Sequence, residues 1–443
     1  MKIKIPEIEI SEKMGFDPDL DIFKRKSFGE RLANLVENAT DSPVIAIDSA
    51  WGEGKSTFIK MWRGYIEHQR EKKLKSIYFD AFENDHQKDA FLAVTSEIYA
   101  KISGENVERK KEFLRIASKT AKSLTRGSIK LGVQLATSGI ISGSMIDKAE
   151  DGISNLLSDQ VDEIVGEKLK NIKSDKKAIS DFKKELEKFS EDEGNGAPII
   201  FIIDELDRCR PDFALDLLEQ TKHLFSANGI IFILITNREQ LEESIRFRYG
   251  PNINAKNYLH KFVNIWLSLP RTRSDDNKDD GENFINYAVN MMTEENEKIA
   301  YPTTIAALTE IIKINQPSYR EIERILAYYA IINNMSDERG LDEDYQLLSA
   351  IACYIKACKH ETIKDTSKIE TGDIITSIGI DKITKKQKSS TLEYMISLVK
   401  FDLASEHEKS AMVQRGDFHQ LYFNNNPGST LIRILSWLQK IER

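Results

Sequence analysis

The chain has 443 residues, of which 40% are hydrophobic and 30% charged, with a formal net charge of −8. That length predicts two or three folded units rather than one ordinary domain, and the acidic balance excludes a chain that coats nucleic acid indiscriminately. Three widely spread cysteines exclude a disulfide framework and suit a reducing cytoplasm.

The first residues, MKIKIPEIEISEKMGFD, lack the apolar segment of a signal peptide. Residues 3–10 alternate like a strand, with Pro6 placing it at a sheet edge. Phe28, Leu32, Leu35 and Val36 then recur at helical spacing within Asp21 to Glu37.

Val44 to Ile47 reads as a buried strand that breaks into a small-residue turn, and Gly54-Lys55-Ser56-Thr57 opens a helix. This is the strand–loop–helix setting of a phosphate-binding loop made of Ser49, Ala50, Trp51, Gly52, Glu53, Gly54, Lys55, Ser56 and Thr57. Its backbone amides and the helix N-terminus favour anionic oxygen. Lys55 supplies a point charge for the β- and γ-phosphates, and Ser56 a hydroxyl for Mg²⁺. Ser49 stands where the motif has its first glycine and can take the turn if its φ is negative. The helix before this strand either packs beside the nucleotide base or simply fills the core.

Lys75 to Phe82 forms a second short strand, followed by Glu83, Asn84, Asp85 and His86 and then a helix from Ala90 to Ile102. The acidic strand end holds metal-bound water or caps a helix. Basic residues dominate Lys101 to Lys130, with Phe113 the only aromatic. This stretch is either a polyanion surface that could take nucleic acid or a solvated helix face. Ile129 to Ile146 is weakly polar but short of the ~20 apolar residues of a spanning helix, so it reads as a buried or partner-facing helix. Residues 151–190 carry the pattern of a long amphipathic helix, and 191–196 end it in a loop.

Pro198 to Leu206, PIIFIIDEL, reads as a strand buried on both faces, as in a parallel α/β sheet. At its end, Asp204 is placed to hold Mg²⁺ through water and Glu205 to orient or deprotonate the attacking water. Two adjacent unpaired carboxylates would otherwise cost several kcal/mol to bury. A helix spans Phe213 to Phe225, and a third buried strand, Gly229 to Thr236, ends at Asn237, a polar sensor, a helix cap, or both.

WGEGKST, YFDAFENDHQKDAFLAVTSEIY, DELDRCRPDFALDLLEQTKHLF and ITNREQLEESIRFRYGPNINAKNYLHKFVNIWLSLP together resemble the KAP group of P-loop NTPases over about residues 20–330. The resemblance implies a three-layer, additional-strand core of the AAA+ and STAND kind, carrying a helical insertion and an α-helical C-terminal region. It further implies ATP and Mg²⁺ as ligands and ATP hydrolysis in a regulatory setting such as antiphage defence, with homo-oligomers and partner effector proteins. Many members carry paired transmembrane helices where this chain has a polar insertion, so it resembles a soluble, cytoplasmic member without integral membrane association. The expected division is 1–102 and 196–272 for the two parts of the NTPase domain, 103–195 for the insertion, and 273–443 for the lid and C-terminal helices.

Farther on, Arg246 and Arg248 are candidates for an arginine acting in trans, or for surface ion pairs. Residues 275–282, DDNKDDGE, mark a boundary or loop. Ser318 and Glu321 form a capping-box pattern. In related ATPases a lid-helix arginine reaches the γ-phosphate; Arg320 is the first choice here and Arg324 the second. Cys353, Cys358 and His360 lack the second pair that a zinc site requires, and their neighbours look like a helix core. The functional expectation is an ATPase that couples nucleotide state to conformation or assembly. The alternatives are a nucleotide-gated scaffold with little turnover, or a small-molecule kinase whose acceptor pocket the sequence does not reveal.

Overall fold

The computed structural model describes residues 1–6, 10–11, 13–87, 89–102, 107–125, 158–272, 279–293, 302–335, 343–359, 369–383, 389–417 and 428–441. Among them, five strands form one parallel sheet: β1 (Val44–Asp48), β2 (Ser76–Asp80), β3 (Ile199–Asp204), β4 (Ile230–Thr236) and β5 (Ile265–Ser268), in the order β2-β3-β4-β1-β5. The strand inserted between β1 and β3 is the additional-strand arrangement. All of β3 and β4 is buried, which is why their sequences run as unbroken Ile, Leu and Phe instead of alternating.

The period-2 geometry of a strand sends alternate residues to opposite faces. Phe79, Phe201 and Phe232 pack on one face, and Ile45, Ile202 and Ile233 on the other. Helices α1 (Lys26–Glu37) and α2 (Lys55–Gly64) supply the core of the second face. The first face is covered by α3 (Ala90–Lys101), α4 (Val107–Thr125), α5 (Ser158–Gly194), α6 (Pro211–His223) and α7 (Arg238–Tyr249). The result is the three-layer α/β core that the sequence predicts.

The root of the insertion is part of that core. Helices α4 and α5 run antiparallel: Arg109 pairs with Glu185 and, at 2.9 Å, with Asp192, while Thr120 donates to the Ala178 carbonyl at 3.2 Å. Phe182 of α5 meets Phe91 at 5.0 Å and Phe225 at 5.8 Å between ring centroids. The weakly polar stretch at 129–146, and residues 151–157 of the amphipathic run, lie outside the described residues. Among the described residues no helix is long and apolar enough to cross a membrane.

A separate apolar cluster joins α8 (Asp280–Met292), α9 (Pro302–Asn315), α10 (Tyr319–Asn334), α11 (Glu343–Cys358), α12 (Ser390–Leu403) and α13 (Thr430–Ile441). Leu438 is buried in it and Trp437 packs against it. Cys353 and Cys358 belong to the same cluster, and burial pushes the Cys358 thiol up to about 12; His360 lies outside the described residues.

Two expectations are corrected. The strand proposed for residues 3–10 is not formed at 3–6 or at 10. Instead the Lys2 amide donates to the Met292 carbonyl at 2.8 Å, so the N-terminal residues lie along the C-terminal helices, away from either sheet edge. The hydrophilic break at 275–282 is partly helix: Asp279 accepts from the Gly281 amide at 2.6 Å and caps α8, while 273–278 lie outside the described residues.

Candidate nucleotide-binding site

Between β1 and α2 the chain turns through two left-handed glycines, Gly52 (φ 78°) and Gly54 (φ 75°). Ser49 is not among the residues with positive φ, so a glycine is not required there. Its amide instead donates to the Thr236 carbonyl at 3.2 Å, tying the loop to β4. The Lys55 ammonium folds back to donate to the Ser49 carbonyl at 2.6 Å and the Ala50 carbonyl at 3.1 Å. Burial pushes this ammonium below its ordinary range, against the pull of Asp207, Asp204 and Asp48. It is a partly desolvated charge at the N-terminus of α2, a setting that favours a phosphate.

The end of β3 lies against the loop. Asp204 is 1% exposed and accepts from the Tyr78 hydroxyl at 2.9 Å and from the Glu205 amide at 2.8 Å, with the Ser56 hydroxyl close enough to favour its charged form. Burial nonetheless raises its carboxyl above the ordinary range. Two hard oxygen donors held side by side, Ser56 and Asp204, fit a Mg²⁺ site. Glu205 sits at φ 58°, an uncommon conformation outside glycine, and its carboxylate meets Arg208 at 2.9 Å. Burial raises its carboxyl too, although Arg208 opposes the shift. Asp207 accepts from the Trp51 indole and fastens the loop to the acidic turn.

Asn237 closes β4 beside these groups. Its side-chain oxygen accepts from the Glu239 and Gln240 amides at 3.1 and 3.5 Å, so the capping role is formed. Arg246 pairs with Glu242 and Glu243 on its own helix, and Arg248 with Asp212 and Asp216. Both arginines are thus held by intrachain ion pairs.

A cavity of about 640 Å³ opens between the loop and α10, and Lys55, Ser56, Thr57, Arg208, Arg320 and Arg324 line it together. Its apolar end is formed by Ile5, Leu20, Ile22, Phe23 and Tyr287. The wall suited to a base is therefore the segment before α1, where a helix was expected. Phe23 stacks on Tyr319 at 4.3 Å, and Tyr319 donates its amide to the Gly52 carbonyl at 3.1 Å. Phe23, Arg25, Arg271 and Tyr319 carried no sequence motif; only the fold brings residues so far apart in the chain onto one loop.

The closeness of α10 to the loop makes a prediction. A methyl group at Gly52 would lie 2.8 Å from the Arg320 Cβ, at a φ that already disfavours side chains. Gly52→Ala should cost about 1–2 kcal/mol in backbone strain alone and displace the lid, lowering both the melting temperature and nucleotide affinity. Unchanged thermal unfolding and ATP titration would contradict this packing.

The basic stretch after Lys101 is largely partnered where it is described. Arg109 is buried in ion pairs, Lys111 meets Glu108, Arg115 meets Glu112, and Lys110 lies over the Tyr99 ring. Residues 126–130 lie outside the described residues.

A family model described as "KAP family P-loop domain" matches residues 25–335. No curated protein matches this chain. Among solved structures it is similar to the ORC2 protein of Aeropyrum pernix in its ADPNP–ADP complexes: 13% identity over 95% of this chain and 94% of that one, TM-score 0.35. It is also similar to Cdc6p of Pyrobaculum aerophilum, at 11% identity over 98% and 99% with TM-score 0.39. The DNA complex of Aeropyrum pernix ORC1 matches at 14% identity over 89% and 84%, TM-score 0.33. Likenesses this loose carry no argument about partner or assembly.

Proposed function

Because the chain belongs to the KAP family of P-loop NTPases, we propose that it binds ATP with Mg²⁺ and hydrolyses it, using the state of the nucleotide to move its lid helices. The observation that carries this reading is one cavity lined by Lys55, Ser56, Arg320 and Arg324, with the Asp204 carboxylate close to Ser56. Lys55 leaves the loop carbonyls to hold the β- and γ-phosphates, and the amides of 52–57 cradle them. Ser56 and Asp204 would hold Mg²⁺, which would supply positive charge to offset that developing on the phosphates. Glu205 accepts a proton from the attacking water, its raised carboxyl range making it the stronger base. Arg320 and Arg324 place positive charge over the phosphates, and Asn237 orients the water with the amide end of the side chain that caps α7.

For the wider setting the reading is a cytoplasmic regulatory ATPase of antiphage defence that assembles with copies of itself and with effector proteins, divided into an NTPase core (1–102 and 196–272), an insertion (103–195) and a lid region (273–443). A nucleotide-gated scaffold with little turnover is the second reading. It is favoured by the engagement of Lys55 with loop carbonyls and of Glu205 with Arg208, both of which must release before chemistry. Phosphate release from ATP, with and without a chelator, separates the two. Steady Mg²⁺-dependent turnover supports the enzyme; tight ATP binding without release supports the scaffold; absence of binding overturns both.

A further inference from the structure

Arg271 follows β5 and stands where the core chain leaves for the lid. Its guanidinium approaches Glu53 of the phosphate loop at 2.5 Å through one terminal nitrogen and donates to the Pro317 carbonyl at 2.7 Å through the other. The same group lies 5.1 Å over the Tyr319 ring. Both charged side chains are nearly buried, at 11% and 10% exposure, so the pair is only weakly screened by solvent. From the other side, Arg25 donates to the Glu53 carbonyl at 3.0 Å and to the Pro270 carbonyl at 3.0 Å. The turn before α10 is itself bent: Gln316 has φ 49°, and its side chain donates to Asp279 at 2.8 Å.

We infer that Arg271 is a positioning residue that seats Arg320 and Arg324 over the phosphate loop by gripping Glu53 and the first turn of α10 at once. This rests on reading the cavity as the nucleotide site. A planar guanidinium can serve a carboxylate and a carbonyl at fixed angles while stacking on a ring; a lysine ammonium cannot do all three. Arg320 directly follows Tyr319, whose amide is bonded to Gly52. Loosening the grip therefore moves the lid arginines relative to the loop without removing any group placed to contact phosphate. Coupling of this kind is reciprocal: phosphate held by the loop fixes the lid, and a fixed lid tightens the loop on phosphate.

The test uses the full chain. Amide hydrogen exchange without nucleotide reads the seat directly: exchange at Tyr319 should rise in Arg271→Ala and in Arg271→Lys. Affinity for a fluorescent ATP analogue is then measured for the parent, Arg271→Ala, Arg320→Ala and the double variant. Each single change should weaken binding on the order of 10-fold, and the double should fall well short of the product of the two losses, because Arg271 acts in part through Arg320. Losses that multiply to about 100-fold, or unaltered exchange at Tyr319, would overturn the inference. If the parent fails to bind the analogue, the nucleotide reading falls, while the exchange result still decides whether Arg271 seats the lid.

Discussion

Lys55→Ala should abolish ATP binding at concentrations that saturate the parent protein. The ammonium is the cation on the loop itself, partly desolvated and encircled by Asp48, Asp204 and Asp207. Once it is removed, those carboxylates face an incoming polyphosphate with one neutralising charge fewer. Charge-assisted hydrogen bonds contribute about 1.5–3 kcal/mol each, so losing two of them weakens affinity by at least on the order of 10²-fold. The loop should survive the change, because its turn is set by Gly52 and Gly54 and by bonds from Ser49 to β4 and Trp51 to Asp207, none of which needs the lysine. Equilibrium titration with labelled ATP, beside a thermal melt, checks both halves. Unchanged affinity would remove the nucleotide reading altogether.

Glu205→Gln should separate binding from turnover. The amide keeps the shape and a hydrogen-bonding partner for Arg208 but cannot take a proton, and general bases contribute typically 10²–10⁴-fold. The carboxylate of Asp204 is untouched, since its bonds come from Tyr78 and the Glu205 main chain. Phosphate release should therefore fall by about that factor while ATP affinity stays within about twofold of the parent. Equal rates for the two proteins would show that another group activates the water.

Much of the core was legible because the physics is local. The buried strands β1, β3 and β4 are continuous apolar runs, and their ends are marked by Lys55, Asp204 and Asn237 within a few residues. The four-residue β5, only partly buried, carries no comparable signal. Residues 3–6 show how alternation misleads: the pattern fits a strand, yet the apolar side chains serve the cavity wall and the C-terminal helices. The grip of Arg271 on Glu53 joins positions far apart in the chain, and a single arginine in a loop looks like any surface charge until the fold is known. Arg320 was legible only through the capping box and the family resemblance; its place over the loop comes from the Tyr319–Gly52 bond.

The left-handed backbone at Glu205 carries a thermodynamic consequence. A side chain at φ 58° costs roughly 1–2 kcal/mol relative to a relaxed residue. The half-exposed contact with Arg208 returns little of that. A glycine at 205 would remove the strain, partly offset by the greater freedom it gives the unfolded chain. Glu205→Gly should then melt at a higher temperature than the parent while hydrolysing ATP about 10²–10⁴-fold more slowly. A chain relieved of that backbone strain would be the sturdier form in which to hold the ATP-bound state.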